Sequence, residues 1–144
     1  MKWVKDVGKK LKEFASLPIT DTKEIGCVIY EEAGFIRYSD VLVGNRASID
    51  LPLEKFKNVW GGFHTHPRDS SDDFSVEDIK CFIWYGIDVT YLGWRGEVSY
   101  IKYLDLPRGS RARMGQYFST TDSNKRRSIM RGLREDFYKY RKFI

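Results

Sequence analysis

The chain is poor in histidine, cysteine and proline: its 144 residues include two, two and four of them. Two cysteines cannot build the disulfide framework of a small secreted domain, and they fit a reducing compartment. No apolar run approaches the roughly 20 residues of a membrane-spanning helix. The opening stretch, MKWVKDVGKKLKEF, is charged throughout and lacks the apolar segment of a secretory leader. The expected location is cytoplasmic, with no membrane partner. The chain also lacks internal repeats and low-complexity tracts. Hydrophobic residues make up 42% and aromatic residues 15%, enough for a packed core, and the length predicts a single domain over 1–144.

The scarcity of histidine makes its placement informative. Both histidines fall in His64-Thr65-His66-Pro67. Alternate residues of a strand point to one face, so both imidazoles can aim at one point. The preceding Val59-Trp60-Gly61-Gly62-Phe63 reads as strand, and its glycines permit close approach of backbone or substrate. Pro67 has no N–H and ends the ladder. Arg68 to Phe74 is polar and reads as a loop. Ser75 then opens a helix with Ile79, Phe82 and Ile83 at helical spacing, and Ser75-Val76-Glu77-Asp78 fits a capping box. Asp78 is a hard oxygen ligand that the short loop can bring to the histidines. Two imidazoles, one carboxylate and an open position form the ligand set of a catalytic zinc site.

The string H-T-H-P, seven residues, then S-V-E-D resembles the signature of the JAMM (JAB/MPN-plus) metalloproteases. That signature is H-[S/T]-H-P, seven residues, S, two residues, D, and every fixed position matches. The resemblance implies that His64, His66 and Asp78 hold Zn2+ and that Ser75 steadies the oxyanion of a tetrahedral intermediate. It also implies a general-base glutamate at the start of an early apolar strand. Glu24, opening Glu24-Ile25-Gly26-Cys27-Val28-Ile29-Tyr30, is the match. The glycine stands two residues after it, where the family often has it three after. Glu31 and Glu32, at the far end of the same strand, are lesser candidates expected to be solvated.

The implied fold class is α/β, an α/β/α sandwich of the JAB/MPN type related to cytidine deaminases, with a mixed β-sheet flanked by helices. Leu11 to Leu106 is the stretch it covers best. A deaminase itself fits poorly, because it needs H-x-E and a later P-C-x-x-C. The implied activity is that of a zinc metallo(iso)peptidase. It would cut amide or isopeptide bonds at the C-terminus of ubiquitin-like, small-modifier or sulfur-carrier proteins, whose tail could add to an exposed strand edge. Zinc would lower the pKa of bound water from about 15.7 toward roughly 7, and Glu24 would take its proton. A covalent cysteine mechanism is not expected, since Cys27 falls in an apolar strand and Cys81 in a helix.

Hydropathy patterning predicts the remaining elements. An N-terminal amphipathic helix would carry Trp3, Val4, Val7, Leu11 and Phe14 on one side. Ile25–Tyr30 and Phe35–Val43 would pair across an Ala33-Gly34 turn, with a further short strand at Arg46–Leu51 and a helical turn at Leu53–Phe56. Val59–His66 is the ligand strand and Val76–Tyr85 its helix. Val89–Gly93 and Val98–Leu104 would flank a Trp94-Arg95-Gly96 turn. A last helix, capped by Asp122 or Ser123, would run to about Lys142.

Charge is uneven. From Arg108 to Ile144 there are 11 Lys/Arg against 3 Asp/Glu, a net of +8, which leaves −3 for the rest of a chain of net +5. Such a basic helical segment, at about 108–144, can hold nucleic acid, an acidic surface or an acidic partner protein. A second reading therefore stands beside the enzyme: a JAMM-like binding module whose basic C-terminal region docks nucleic acid or a partner. The intact ligand set argues against that reading.

Overall fold

A computed structural model describes residues 2–144, and the side chains of the first helix from Val7 onward. Among the described residues there are four helices and a seven-stranded mixed sheet. The first helix, α1 (Lys2–Ala15), buries Val7, Leu11 and Ala15 at successive turns. Trp3 and Val4, expected on the same side, lie outside the described side chains.

Two strands then form a hairpin, β1 (Ile25–Glu32) with β2 (Phe35–Tyr38). Its turn has positive φ at both Ala33 (52°) and Gly34 (80°), the pairing that lets a two-residue loop follow strand twist. The expected strand Phe35–Val43 is broken. Ser39 turns its N–H and its hydroxyl onto the backbone of Val28. The chain resumes as a two-residue strand, β3 (Leu42–Val43), on the same edge of β1.

Arg46–Leu51, expected as a short strand, is a loop. Asn45 takes the N–H groups of Ala47 and Ser48 on its side-chain oxygen, both at 2.8 Å, so the backbone is satisfied locally instead of in a ladder. A short 3-10 turn follows at Leu53–Lys55.

Next come β4 (Val59–Thr65), α2 (Val76–Tyr85), β5 (Val89–Trp94) and β6 (Glu97–Lys102). β4 lies antiparallel to β1 and parallel to β5, with α2 as the crossover. β5 and β6 form a second hairpin whose turn again has positive φ at both residues, Arg95 and Gly96. The end of the predicted strand Val98–Leu104 becomes a 3-10 turn at Tyr103–Asp105. The basic segment resolves into two helices, α3 (Arg108–Tyr117) and α4 (Ser123–Tyr140), followed by β7 (Lys142–Phe143). Asp122 caps α4 by accepting from the N–H groups of Asn124 and Lys125. The path through the sheet is β2-β1-β4-β5-β6-β7, with β3 beside β1.

The sheet separates two cores. On one face α1 covers Cys27, Ile29, Phe63, Val89, Tyr91 and Val98. On the other, α2, α3 and α4 cover Leu92 and Ile101 with Ile79, Phe82, Met114, Leu133 and Phe137. Phe137 stands edge-on to both Phe74 and Phe82, which binds α4 to α2 and to the loop before it.

Candidate metal centre

Period-two alternation along β4 decides what each face receives. Phe63 goes to the α1 side. His64 and His66 go to the α2 side, with ring centroids 5.1 Å apart. His66 lies just past the strand but keeps its place in the ladder, since its N–H donates to Gly93 O at 3.0 Å. Thr65, between the histidines, accepts the N–H of Ile25 on its hydroxyl at 3.1 Å. That bond ties the first residue of β1 to the ligand strand and sets Glu24 beside the imidazoles. Gly26 pairs with His64, and a Cβ there would stand 2.4 Å from Phe63 O. The close approach of β1 to β4 at the site therefore requires glycine at this position.

Glu24 is almost fully buried, as are both histidines. One ligand atom from each of the three lies within 4.8 Å of the others. Asp78 reaches the same point from the first turn of α2: its Oδ1 is 3.0 Å from His64 Nε2 and its Oδ2 3.2 Å from His66 Nε2.

The expected capping box is present. Ser75 Oγ accepts from Asp78 N at 3.1 Å, and Ser75 N donates to Asp78 Oδ2 at 2.8 Å. The bond from Ser75 N fixes the Asp78 carboxylate where the histidines converge. Ser75 Oγ is used as an acceptor, so the hydroxyl proton is left to donate elsewhere.

The arrangement fits a divalent cation. His66 Nδ1 donates to Ser71 O at 2.8 Å, which orients the ring and turns Nε2 to the centre. His64 Nε2 is buried and, despite its nearness to Asp78, makes no aligned hydrogen bond. A buried ring nitrogen that faces a poorly aligned carboxylate oxygen would be better satisfied by a cation.

The electrostatics agree. Burial alone would raise the Asp78 carboxyl, but the charges of the two imidazoles and their contacts with its oxygens hold it well below the usual carboxylate range. Burial would lower His66, yet the bond to Asp78, its charge and the Ser71 carbonyl hold the imidazole above its ordinary value. Glu24 is raised, chiefly by burial, against the opposing pull of His64 and His66. A carboxylate held above its usual range is suited to accept and release a proton nearer neutral pH.

No protein-family model matches the chain, and neither does any curated protein or solved structure. The site therefore stands on its own geometry.

The structure brings Glu24, His64 and His66 together and sets the Asp78 carboxylate against the two imidazoles, with Ser75 bonded to Asp78. It places Glu31 and Glu32 at the opposite end of β1, where Glu31 accepts from Trp60 Nε1 at 3.2 Å and Glu32 is exposed. Cys27 is buried on the other face with its thiol pushed up to about 12, and burial pushes Cys81 up to about 11. Burial therefore disfavours the thiolate at both.

Two features had no signal in the sequence. One is the Ser71 carbonyl, a main-chain group. The other is Arg141, 10% exposed, which donates to Asp72 O at 3.0 Å and to Asp73 Oδ1 at 3.2 Å. Arg141 fastens the loop that carries Ser71 to the end of α4, so the 68–74 segment is anchored from below. Among the described residues no helix is long and apolar enough to cross a membrane.

Proposed function

We propose that the chain is a zinc-dependent metallo(iso)peptidase of the JAMM type. Its substrates would be amide or isopeptide bonds at the C-terminus of ubiquitin-like, small-modifier or sulfur-carrier proteins. The observation that carries this reading is the convergence of the buried Glu24, His64 and His66 with the Asp78 carboxylate. The H-T-H-P and S-V-E-D spacing supports it from the sequence side.

In this reading His64, His66 and Asp78 would hold Zn2+, which would supply Lewis acidity for amide hydrolysis. Glu24, held above its usual range, takes the proton of the attacking water and passes it to the leaving amine. Ser75 donates its hydroxyl proton to the oxygen on which negative charge develops. The Ser71 carbonyl keeps the His66 ring in its tautomer. The centre opens on a cleft of about 1580 Å³, larger than the usual small-molecule site and in keeping with a polypeptide substrate.

The test is cleavage by the zinc-loaded protein of ubiquitin-like modifiers fused through their C-termini to a reporter. Wild type should cleave, and Glu24→Gln should hold zinc without cleaving. Native-rate cleavage by Glu24→Gln would contradict the role given to this glutamate. Absence of cleavage across all fusions by a zinc-loaded wild type would contradict the reading itself.

A further inference from the structure

One basic stripe supplies no ligand to the metal centre. Arg127, Arg131 and Arg134 follow one another at helical spacing along α4, and all three are exposed. Among the described residues none of them meets an acidic partner. Arg141, Arg126 and Arg113 differ: Arg141 is paired with Asp72 and Asp73, Arg126 donates to Thr120 O, and Arg113 is paired with Asp136.

The stripe lines a groove of about 860 Å³, with Phe74, Tyr117 and the exposed Tyr138 beside it. The groove's own acids are Asp73, already engaged by Arg141, and Glu135. Arg134, Phe74 and Asp73 also line the cleft of the metal centre, so the two depressions meet.

We infer that this groove docks an acidic, extended segment of the protein substrate whose scissile bond lies at the metal centre. The inference rests on the peptidase reading and adds a substrate class to it. Arg127 and Arg131 are about 6 Å apart along the helix axis. Alternate side chains of an extended peptide are separated by about 6.6 Å, so acidic residues two apart match the Arg127–Arg131 pair. Guanidinium groups free of internal partners can take carboxylates in bidentate fashion. The joined groove and cleft give one path from the anchor to the reacting bond. Nucleic acid would use the same charges, but nothing in the groove's connection to the metal centre calls for it.

The experiment is fluorescence anisotropy with a labelled ten-residue peptide of alternating glutamate and serine, against a labelled ten-nucleotide single-stranded DNA. Wild type should bind the peptide, more weakly as salt rises, and the DNA less tightly. The triple variant Arg127→Glu/Arg131→Glu/Arg134→Glu should lose at least tenfold in affinity, and the milder Arg→Gln triple should lose several-fold. Lys9→Glu/Lys10→Glu/Lys57→Glu, an equal change of charge away from the groove, should stay within twofold. The assay reads binding without cleavage, so failure of the peptidase reading leaves this result intact. Tighter binding of the DNA, or equal losses in the arginine and lysine triples, would overturn the proposal. So would peptide affinity unchanged in a folded arginine triple, with folding checked by circular dichroism.

Discussion

The two faces of the sheet are built from the same strands and do different work. The α1 face is closed and apolar, with Cys27, Ile29, Phe63, Val89, Tyr91 and Val98 packed under Val7 and Leu11. The α2 face is apolar under α2 and α4 but turns polar where β1 and β4 meet, and there it buries Glu24, His64 and His66. Burying ionisable groups costs free energy unless they are paired or bind a cation. The closed face offsets that cost and leaves the other free to hold a reactive cluster. One strand serves both: Phe63 anchors the first core, and the residues on either side of Thr65 form the centre.

The largest expected effect separates chemistry from folding. Glu24→Gln should lower cleavage by about 10²–10⁴-fold while the thermal midpoint and the zinc content stay near wild type, read by steady-state kinetics, calorimetry and metal analysis. Phe63→Ala is the mirror image. Phe63 is fully buried, and its loss should cost about 3–5 kcal/mol in a denaturant titration, with one zinc still bound per folded chain. If the two variants gave the same profile, the division between the faces would be wrong.

Ser75→Ala should do something of both. Loss of the cap should cost about 0.5–2 kcal/mol of stability, and loss of the hydroxyl donor about 10²-fold in rate. Ser75→Thr, which keeps the cap and the donor, should recover most of each. A variant that loses stability without losing rate would reduce Ser75 to a capping residue. Smaller again is Arg141→Ala, which frees the loop bearing Ser71. We expect about 1–2 kcal/mol of destabilisation and zinc affinity lower by about 10-fold, measured by competition with a chromophoric chelator.

The smallest effect is in pH. Metal must displace protons from its ligands. His66 is held above the ordinary imidazole value, so protons compete at His66 to higher pH than at a free imidazole. Zinc affinity should therefore climb with pH through and above the usual imidazole range, and Asp78, held low, should add no pH dependence there. A flat affinity from pH 6 to 8 would contradict the contacts of His66 with Asp78 and Ser71 described above.

Where the sequence was legible, one physical rule dominated. β4 and α2 could be read because alternation and helical spacing with a serine cap are local signals, and β4 ends one residue before the predicted His66. The Ala33-Gly34 and Arg95-Gly96 turns were equally local. Arg46–Leu51 misled because the Asn45 side chain competes for backbone N–H groups that a strand would use. α3 was not separated from the basic tail, since Arg108–Tyr117 has no continuous apolar stripe and even buries Ser110, which donates to Asp136 of α4. Long-range contacts were invisible: Arg141 and the loop it holds are 68 and 69 residues apart. At the site, side-chain types and spacing pointed to the ligands. The Ser71 carbonyl and the Thr65 bond to β1 depend on main-chain positions that no residue type announces.

The most direct measurement is zinc stoichiometry after equilibrium dialysis, by mass spectrometry of the metal, across wild type, His64→Ala, His66→Ala, Asp78→Ala and Glu24→Gln. The account predicts one zinc per chain in wild type and in Glu24→Gln, and little or none in the two histidine variants and in Asp78→Ala. An empty wild type, or full occupancy when either histidine is removed, would contradict it.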